Sequence, residues 1–389
     1  MTLPLDDIKV VDTDTHLTER HDLWTTRAPP KWKDRVPRVE RVDGAATWVV
    51  DDGAVLGRAG AGGVIDKDGA KGRTFEGLYE WEIDRAHAAA YDPDARLELM
   101  DELGVFAQII YPGVVGLGGQ NLADVIQDIE LRALCLEIFN DASAELQSAS
   151  GDRLLPMALL PAWDVTASVR EAERAKTLGL RGVNITSDPQ DVGAPDLAHR
   201  AWDPLWEACS SLGLPVHFHI GASLTTMNYF GTYPWDSHDD DIKLAIGGTL
   251  LFIGNARVVV NIICSGMLER HPELKIVSVE SGIGWVPFIL EALDYEMSEN
   301  APRQKADLSL LPSEYFKRQI YATTWFERRD LASVVRAVGE DNIMFETDFP
   351  HPTCLYPDPL KTAAENMQDL STGTQRKILS DNASRLYRL

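Results

Sequence analysis

The alternation of short apolar runs with amphipathic stretches from Pro93 onward limits the possible folds of this chain more than any other feature. Strand-like runs fall at residues 105–111, 154–160, 180–185, 214–220, 274–280, 319–323 and 342–348. Helical patterns separate them, at 94–103, 122–148, 165–178, 201–212, 242–270, 286–297 and 329–338. The apolar lead-in Ile8 to Val11 adds a first strand and brings the number to eight. Strands that alternate with helices pair in parallel, and eight such units close on themselves. The expected fold is therefore α/β, a (β/α)8 TIM barrel, with helices at 361–370 and 374–387 packed outside it.

A chain of 389 residues is long for one barrel, but this fold tolerates insertions. A single barrel over 1–389 is expected, with residues 20–92 inserted after the first strand. The insertion contains a hairpin around the Asp51-Asp52-Gly53 turn and a glycine-rich stretch, 57–72. That stretch lacks the Gly-Lys-Ser/Thr ending of a phosphate loop, so it is read as a mobile lid. The formal charge of −23 repels phosphate backbones and anionic lipid, which argues against nucleic-acid and membrane partners. Four scattered cysteines without a C-x-x-C read as reduced thiols, and no leader-like segment is present, so a cytoplasmic protein is expected. The apolar stretch 244–264 reads as an outer helix, and its surroundings near Leu250 are a candidate homodimer contact.

The chemistry gathers at strand ends. In Val11-Asp12-Thr13-Asp14-Thr15-His16, Asp12, Asp14 and His16 share one face, because strand side chains alternate. Alone, an Asp-x-His is weak, since a polar strand end capping a turn has the same letters. Glu19 lies just beyond it and can reach back over the same spot. The fifth strand ends with His217 and His219, the sixth with Glu280 and the eighth with Asp348, followed by Phe349-Pro350-His351. A barrel brings these ends together at one mouth, so residues far apart in sequence can share one ion. The candidate metal ligands are Asp14, His16, Glu19, His219, Glu280 and Asp348. Glu280, His351 and His217 are the candidate catalytic groups. Asp101 and His238 read as surface residues, and Trp81, Tyr229, Phe230, Tyr233 and Trp235 as the rim of an apolar pocket for a small-molecule substrate.

Asp14-Thr-His16-Leu-Thr-Glu19, Leu214-Pro-Val-His-Phe-His219, Phe345-Glu-Thr-Asp348-Phe-Pro-His351 and Asn382-Ala-Ser-Arg-Leu-Tyr387 together resemble the amidohydrolase-related superfamily, in the branch with the metal-dependent aromatic decarboxylases. The resemblance covers nearly the whole chain and implies Asp14, His16, His219 and Asp348 as metal ligands. Many relatives carry a His at the end of strand six, where this chain has Glu280. Four carboxylates and two imidazoles favour iron or manganese over zinc, because oxygen donors suit harder ions. They also match the ligand set of di-iron carboxylate oxygenases, and one branch of this superfamily is a non-haem di-iron monooxygenase acting on an acyl-CoA-linked substrate in antibiotic biosynthesis. The first expectation is accordingly two irons per chain that activate O2 and hydroxylate a bulky apolar substrate in secondary metabolism. The alternative is hydrolysis or decarboxylation of a carboxylated substrate at a divalent ion, with manganese or zinc in place of iron.

Overall fold

The structure, a computed structural model, describes residues 8–228 and 235–389. Tyr229, Phe230 and Tyr233 of the expected aromatic rim lie outside the described residues. Strand β1, Val10–His16, is buried along its whole length. The chain then forms an antiparallel sheet of β2 (Arg38–Val42), β3 (Ala45–Val50) and β4 (Ala54–Arg58) before helix α1 (Pro93–Leu103) and strand β5 (Val105–Tyr111). Helices α2 (Gln120–Val125) and α3 (Ile129–Ala149) lead to β6 (Leu154–Pro156) and β7 (Ala158–Leu159), two halves of one strand interrupted at Met157. Next come α4 (Val165–Leu178), β8 (Val183–Asn184), α5 (Asp203–Leu212), β9 (Val216–His219), α6 (Leu224–Met227) and the long α7 (Asp240–Cys264). Strands β10 (Ile276–Val279), β11 (Ile320–Thr324) and β12 (Ile343–Phe345) complete the series, with helices between them.

The strands pair in parallel in the order β1, β5, β6/β7, β8, β9, β10, β11, β12. The ring closes just past β12, where Thr15 bridges Phe349 and the His16 amide donates to the Phe349 carbonyl at 2.8 Å. The amide of Asp348 donates to the Asp14 carbonyl at 2.9 Å. The eight-stranded TIM barrel is thus present, and its last hydrogen bonds run through the candidate site.

Local physics accounts for the departures from the expected elements. One helix was expected over 122–148, but Asp128 stops it by accepting from the amides of Glu130 and Leu131, which starts α3 afresh. The expected helix 242–270 breaks after Cys264 at Gly266, whose φ of 69° is left-handed. The expected hairpin gains a third strand, β2, too polar to stand out in the sequence. Its sheet buries Trp48, Val50 and Leu56 with Trp24, against Leu131, Leu136 and Phe139 of α3. The glycine-rich stretch is fastened to the barrel: the Val64 amide donates to the Pro350 carbonyl at 3.0 Å. A Cβ on Gly63 would lie 2.5 Å from that oxygen, so only glycine lets the two backbones meet.

Val11, Ile109, Val277 and Met344 fill the barrel, and Leu386 and Tyr387 of the C-terminal helix close its far end. Helix α7 is long and apolar enough to cross a bilayer by length and composition, yet its Val258, Val259, Ile262 and Ile263 pack into the barrel's outer core.

Arg96 is fully buried and stitches three parts of the molecule together. It donates to the Ala89 carbonyl at 2.6 Å, to the His16 carbonyl at 2.6 Å and to Gln108 Oε1 at 3.1 Å. Its guanidinium also lies 4.6 Å from the centre of the Phe349 ring. Arg96→Met would leave these acceptors unpaired and Asp12 without a nearby cation, so a loss of ~3–5 kcal/mol is expected in denaturant unfolding. A loss below ~1 kcal/mol would show that the network does not hold the fold.

Candidate metal centre

Asp14 and His16 project from the end of β1 on one face, as the alternation of strand side chains requires. His219 ends β9, Glu280 follows β10 directly, and Asp348 comes three residues after the end of β12. Both of these acids have left-handed backbone, with φ of 55° and 60°. L-residues other than Asn and Asp seldom adopt it, and such positions concentrate at functional sites.

His219 Nε2 lies 3.4 Å from Asp14 Oδ1 and 3.2 Å from Glu280 Oε2. His16 Nε2 lies 3.6 Å from Asp14 Oδ1 and 3.8 Å from Asp348 Oδ1. His351 Nδ1 is 3.0 Å from Asp348 Oδ1, and its ring stacks on His16 with centroids 3.7 Å apart. Donor atoms of Asp14, His16, His219 and Glu280 all fall within 4.8 Å of one another, as do those of His16, Glu280, Asp348 and His351. The two quartets share His16 and Glu280, so they describe one continuous nest of donors.

Both Asp14 oxygens, His16 Nε2 and His219 Nε2 are buried without a hydrogen-bond partner. Leaving buried polar atoms unpaired is costly, and more so for charged ones. The His219 tautomer sharpens the point. Its Nδ1 lies 2.8 Å from the Ile220 carbonyl, which can only accept, so Nδ1 carries the proton. A neutral ring then turns the lone pair of Nε2 toward two carboxylates. A cation among them converts that repulsion into ligation, and the donor set fits a divalent ion.

The titration behaviour has the same cause. Burial, and then the nearby Asp348, push Asp14 and Glu280 well above the ordinary carboxyl range. Burial, and then Asp14, raise Glu346. Burial drives His219 down to about 4 and lowers His16 strongly. Acids forced up beside imidazoles forced down mark a site short of positive charge.

Two expected site residues lie elsewhere. Glu19 does not reach the cluster; its Oε1 accepts from the amides of Gly113 at 2.8 Å and Val114 at 3.2 Å. Those two amides capture its carboxylate, so it shapes the loop after β5. His217 points into the barrel below the mouth, where both ring nitrogens are engaged, with the Val183 carbonyl at 2.8 Å and the Tyr387 hydroxyl at 2.9 Å. It supports the floor and does not face substrate. The sequence reading passed over Glu346, a buried acid 3.3 Å from the Glu280 amide, although a two-residue step from Asp348 was signal enough. It also passed over Arg96, which nothing in the local pattern distinguishes. Asp101 pairs with Arg153 on the surface, and His238 lies on the exposed lead-in to α7.

Glu280, Asp348 and His351 open onto a cavity of about 820 Å³ between residues 71–78 and α7. Its wall includes Leu117, Ile220, Met227 and Leu244. Trp81 is buried under Gly72, and Trp235 is exposed; neither lines this cavity.

A parallel eight-stranded barrel with carboxylates and imidazoles converging at its C-terminal mouth defines a class of metal-dependent barrel enzymes. The amidohydrolase family profile matches residues 11–389, and the chain belongs to that family. It is 27% identical over 313 residues to the γ-resorcylate decarboxylase of Rhizobium sp. (strain MTP-10005), covering 76% of this chain and 87% of that protein. An amidohydrolase from Mycobacterium avium subsp. paratuberculosis has the same fold, with 23% identity over 98% of both chains and a TM-score of 0.75. The 5-carboxyvanillate decarboxylase of Novosphingobium aromaticivorans, solved with manganese bound, shares the fold at 18% identity and a TM-score of 0.68, covering 100% of this chain and 99% of that one.

These findings overturn the expectation of a di-iron monooxygenase. The named relative is a decarboxylase, and the four-carboxylate count behind the oxygenase reading included Glu19, which binds backbone amides. The expectation of two irons per chain rested on that count.

If the cluster holds a divalent ion, protein purified with manganese should carry about one equivalent per chain by elemental analysis. Asp14→Ala and His219→Ala should each lose most of it, and Glu19→Gln should keep it. Full occupancy in Asp14→Ala would remove the ion from this cluster.

Proposed function

We propose that this chain is a metal-dependent, non-oxidative decarboxylase of an aromatic carboxylic acid. The observation that carries the reading is the nest of buried, partnerless donors opening onto a cavity of small-molecule size. The decarboxylase relatives supply the reaction class. In this reading Asp14, His16, His219 and Asp348 hold one divalent ion, with manganese favoured by the oxygen donors and found in two fold neighbours, and zinc the alternative. When bound, such an ion supplies Lewis acidity that draws the substrate's oxygens into place and offsets their charge.

The chain's own groups do the rest. Glu280 lines the cavity beside the four ligands and, as the carboxyl of the nest not assigned to the ion, is the group that carries the proton. It delivers that proton to the ring carbon bearing the carboxylate. The carbon–carbon bond then breaks, its electron pair restores the aromatic ring, and CO2 leaves. Solvent entering through the cavity returns the proton to Glu280. His351 holds Asp348 through the 3.0 Å contact and forms part of the cavity wall, where it orients the substrate. No oxidant enters the balance.

Glu280→Gln removes the transferable proton at nearly constant shape. Its kcat for CO2 release from dihydroxybenzoates should fall by about 10²–10⁴-fold, with metal content unchanged and wild-type turnover equal under argon and air. Turnover that requires O2, or a Glu280→Gln rate within about tenfold of wild type, would end this reading.

A further inference from the structure

We infer that the acid taken by this site carries an extended apolar substituent that lies along α7. The inference rests on the reading above that the carboxyl end sits at the cluster, and it names the rest of the molecule.

The cavity of about 820 Å³ is near the upper end of the ~300–1,000 Å³ in which sites enclose drug-sized molecules. A one-ring acid at the carboxylates leaves most of it empty. Along α7 the cavity forms an apolar trough. Leu244, Ala245, Gly248 and Phe252 line it, and their spacing of one, three and four residues puts them on one face of α7. From Leu244 to Phe252 the helix rises ~12 Å, at ~1.5 Å per residue. The middle is shallow, because Ala245 is small and a Cβ on Gly248 would meet no atom within 4 Å. At one end Phe252 rests against Trp325 and Phe326, with ring centroids 5.5 and 5.4 Å apart.

The rim shows why the substituent is apolar. Arg73 is paired with Asp241 and Glu76, and Lys71 Nζ donates to the Cys354 carbonyl at 2.8 Å. Arg73 is matched by carboxylates and Lys71 is held on the 71–78 wall, while the residues of α7 that line the cavity include no cation to meet a second anionic group. What the wall offers is apolar surface beside a backbone left open at glycine.

The test measures binding by calorimetry to the full chain, manganese-loaded and metal-free. The probes are 2,6-dihydroxybenzoate and its 4-ethyl, 4-butyl and 4-hexyl homologues. Affinity should rise about fourfold per methylene in both forms of the protein. Gly248→Phe fills the trough from a helical position, and should weaken the hexyl homologue at least about tenfold while leaving the parent acid within about twofold. Gly248→Leu repeats the comparison with a smaller group. Affinity independent of chain length would overturn the inference, as would equal weakening of parent and hexyl acids. A change of oligomeric state in both Gly248 variants would also overturn it, by making this face a contact between copies. Chain-length dependence without any CO2 release would uphold the trough and sink the decarboxylase reading alone.

Discussion

The barrel mouth encloses more carboxyl groups than its surroundings could neutralise as anions. Asp14, Glu280, Asp348 and Glu346 are all enclosed there, with imidazoles that burial keeps uncharged. In a low-dielectric interior such groups repel strongly, and a flexible site would relax by spreading them apart. This one cannot. The Asp348 amide is bonded to the Asp14 carbonyl and the His16 amide to the Phe349 carbonyl, so the bonds that close the barrel also fix the separation of the acids. Closure of the sheet and crowding of the charges are one structural fact. The strain is held ready for a cation, which is what preorganisation of a metal site means physically.

The buried arginine beside the cluster does not relieve the crowding. Arg96 lies one layer outside the cluster, and its donors are spent on the carbonyls of Ala89 and His16 and on Gln108. Gln108 in turn donates to Asp12 at 3.0 Å, and Asp12 accepts from the Thr347 amide at 2.8 Å and its hydroxyl at 2.6 Å. Burial raises Asp12 to about 7, but a carboxyl surrounded by donors on both oxygens is best served as the acceptor-only anion, with Arg96 as its distant counter-charge. The arginine's charge is thereby committed to Asp12 and to the seam between β1 and the loop after β12. On the inner side, Tyr387 reaches up from the C-terminal helix to His217, whose ring is fixed at both nitrogens. Arg96, Gln108, Asp12 and His217 are thus engaged, while Asp14 and His219 Nε2 in the cluster are left open.

The fold was legible because it rests on periodicity. Eight strand-like runs separated by helical ones leave few alternatives, and the structure places a barrel strand in each. Asp14, His16, His219, Glu280 and Asp348 were legible as a set for a related reason: each lies within three residues of a strand's C-terminal end, and a barrel collects strand ends. Glu19 failed because it follows the strand, where the loop decides direction; the free amides of Gly113 and Val114 claimed it, and no sequence pattern marks them. His217 failed more instructively. It shares a face with His219, but two residues along a strand is a vertical step of nearly 7 Å, enough to put one ring at the mouth and the other in the floor. Period two reports the face and not the depth.

The left-handed backbone at Glu280 and Asp348 joins these points. A strand continued regularly past β10 or β12 would carry the next side chain up and away from the axis. A residue with φ near +60° turns the chain at once and swings its carboxyl across the mouth. Glycine would adopt that turn at no steric cost but would bring no carboxylate; Glu and Asp bring the carboxylate at a cost of order 1 kcal/mol or more each. That cost is sustained at both positions by neighbours that leave no other conformation. The Glu280 amide is taken by Thr323 at 3.0 Å, and that of Asp348 by Asp14 across the closing seam. Backbone that is unfavourable locally, held in place by bonds the barrel must make anyway, puts the acids where the cavity begins.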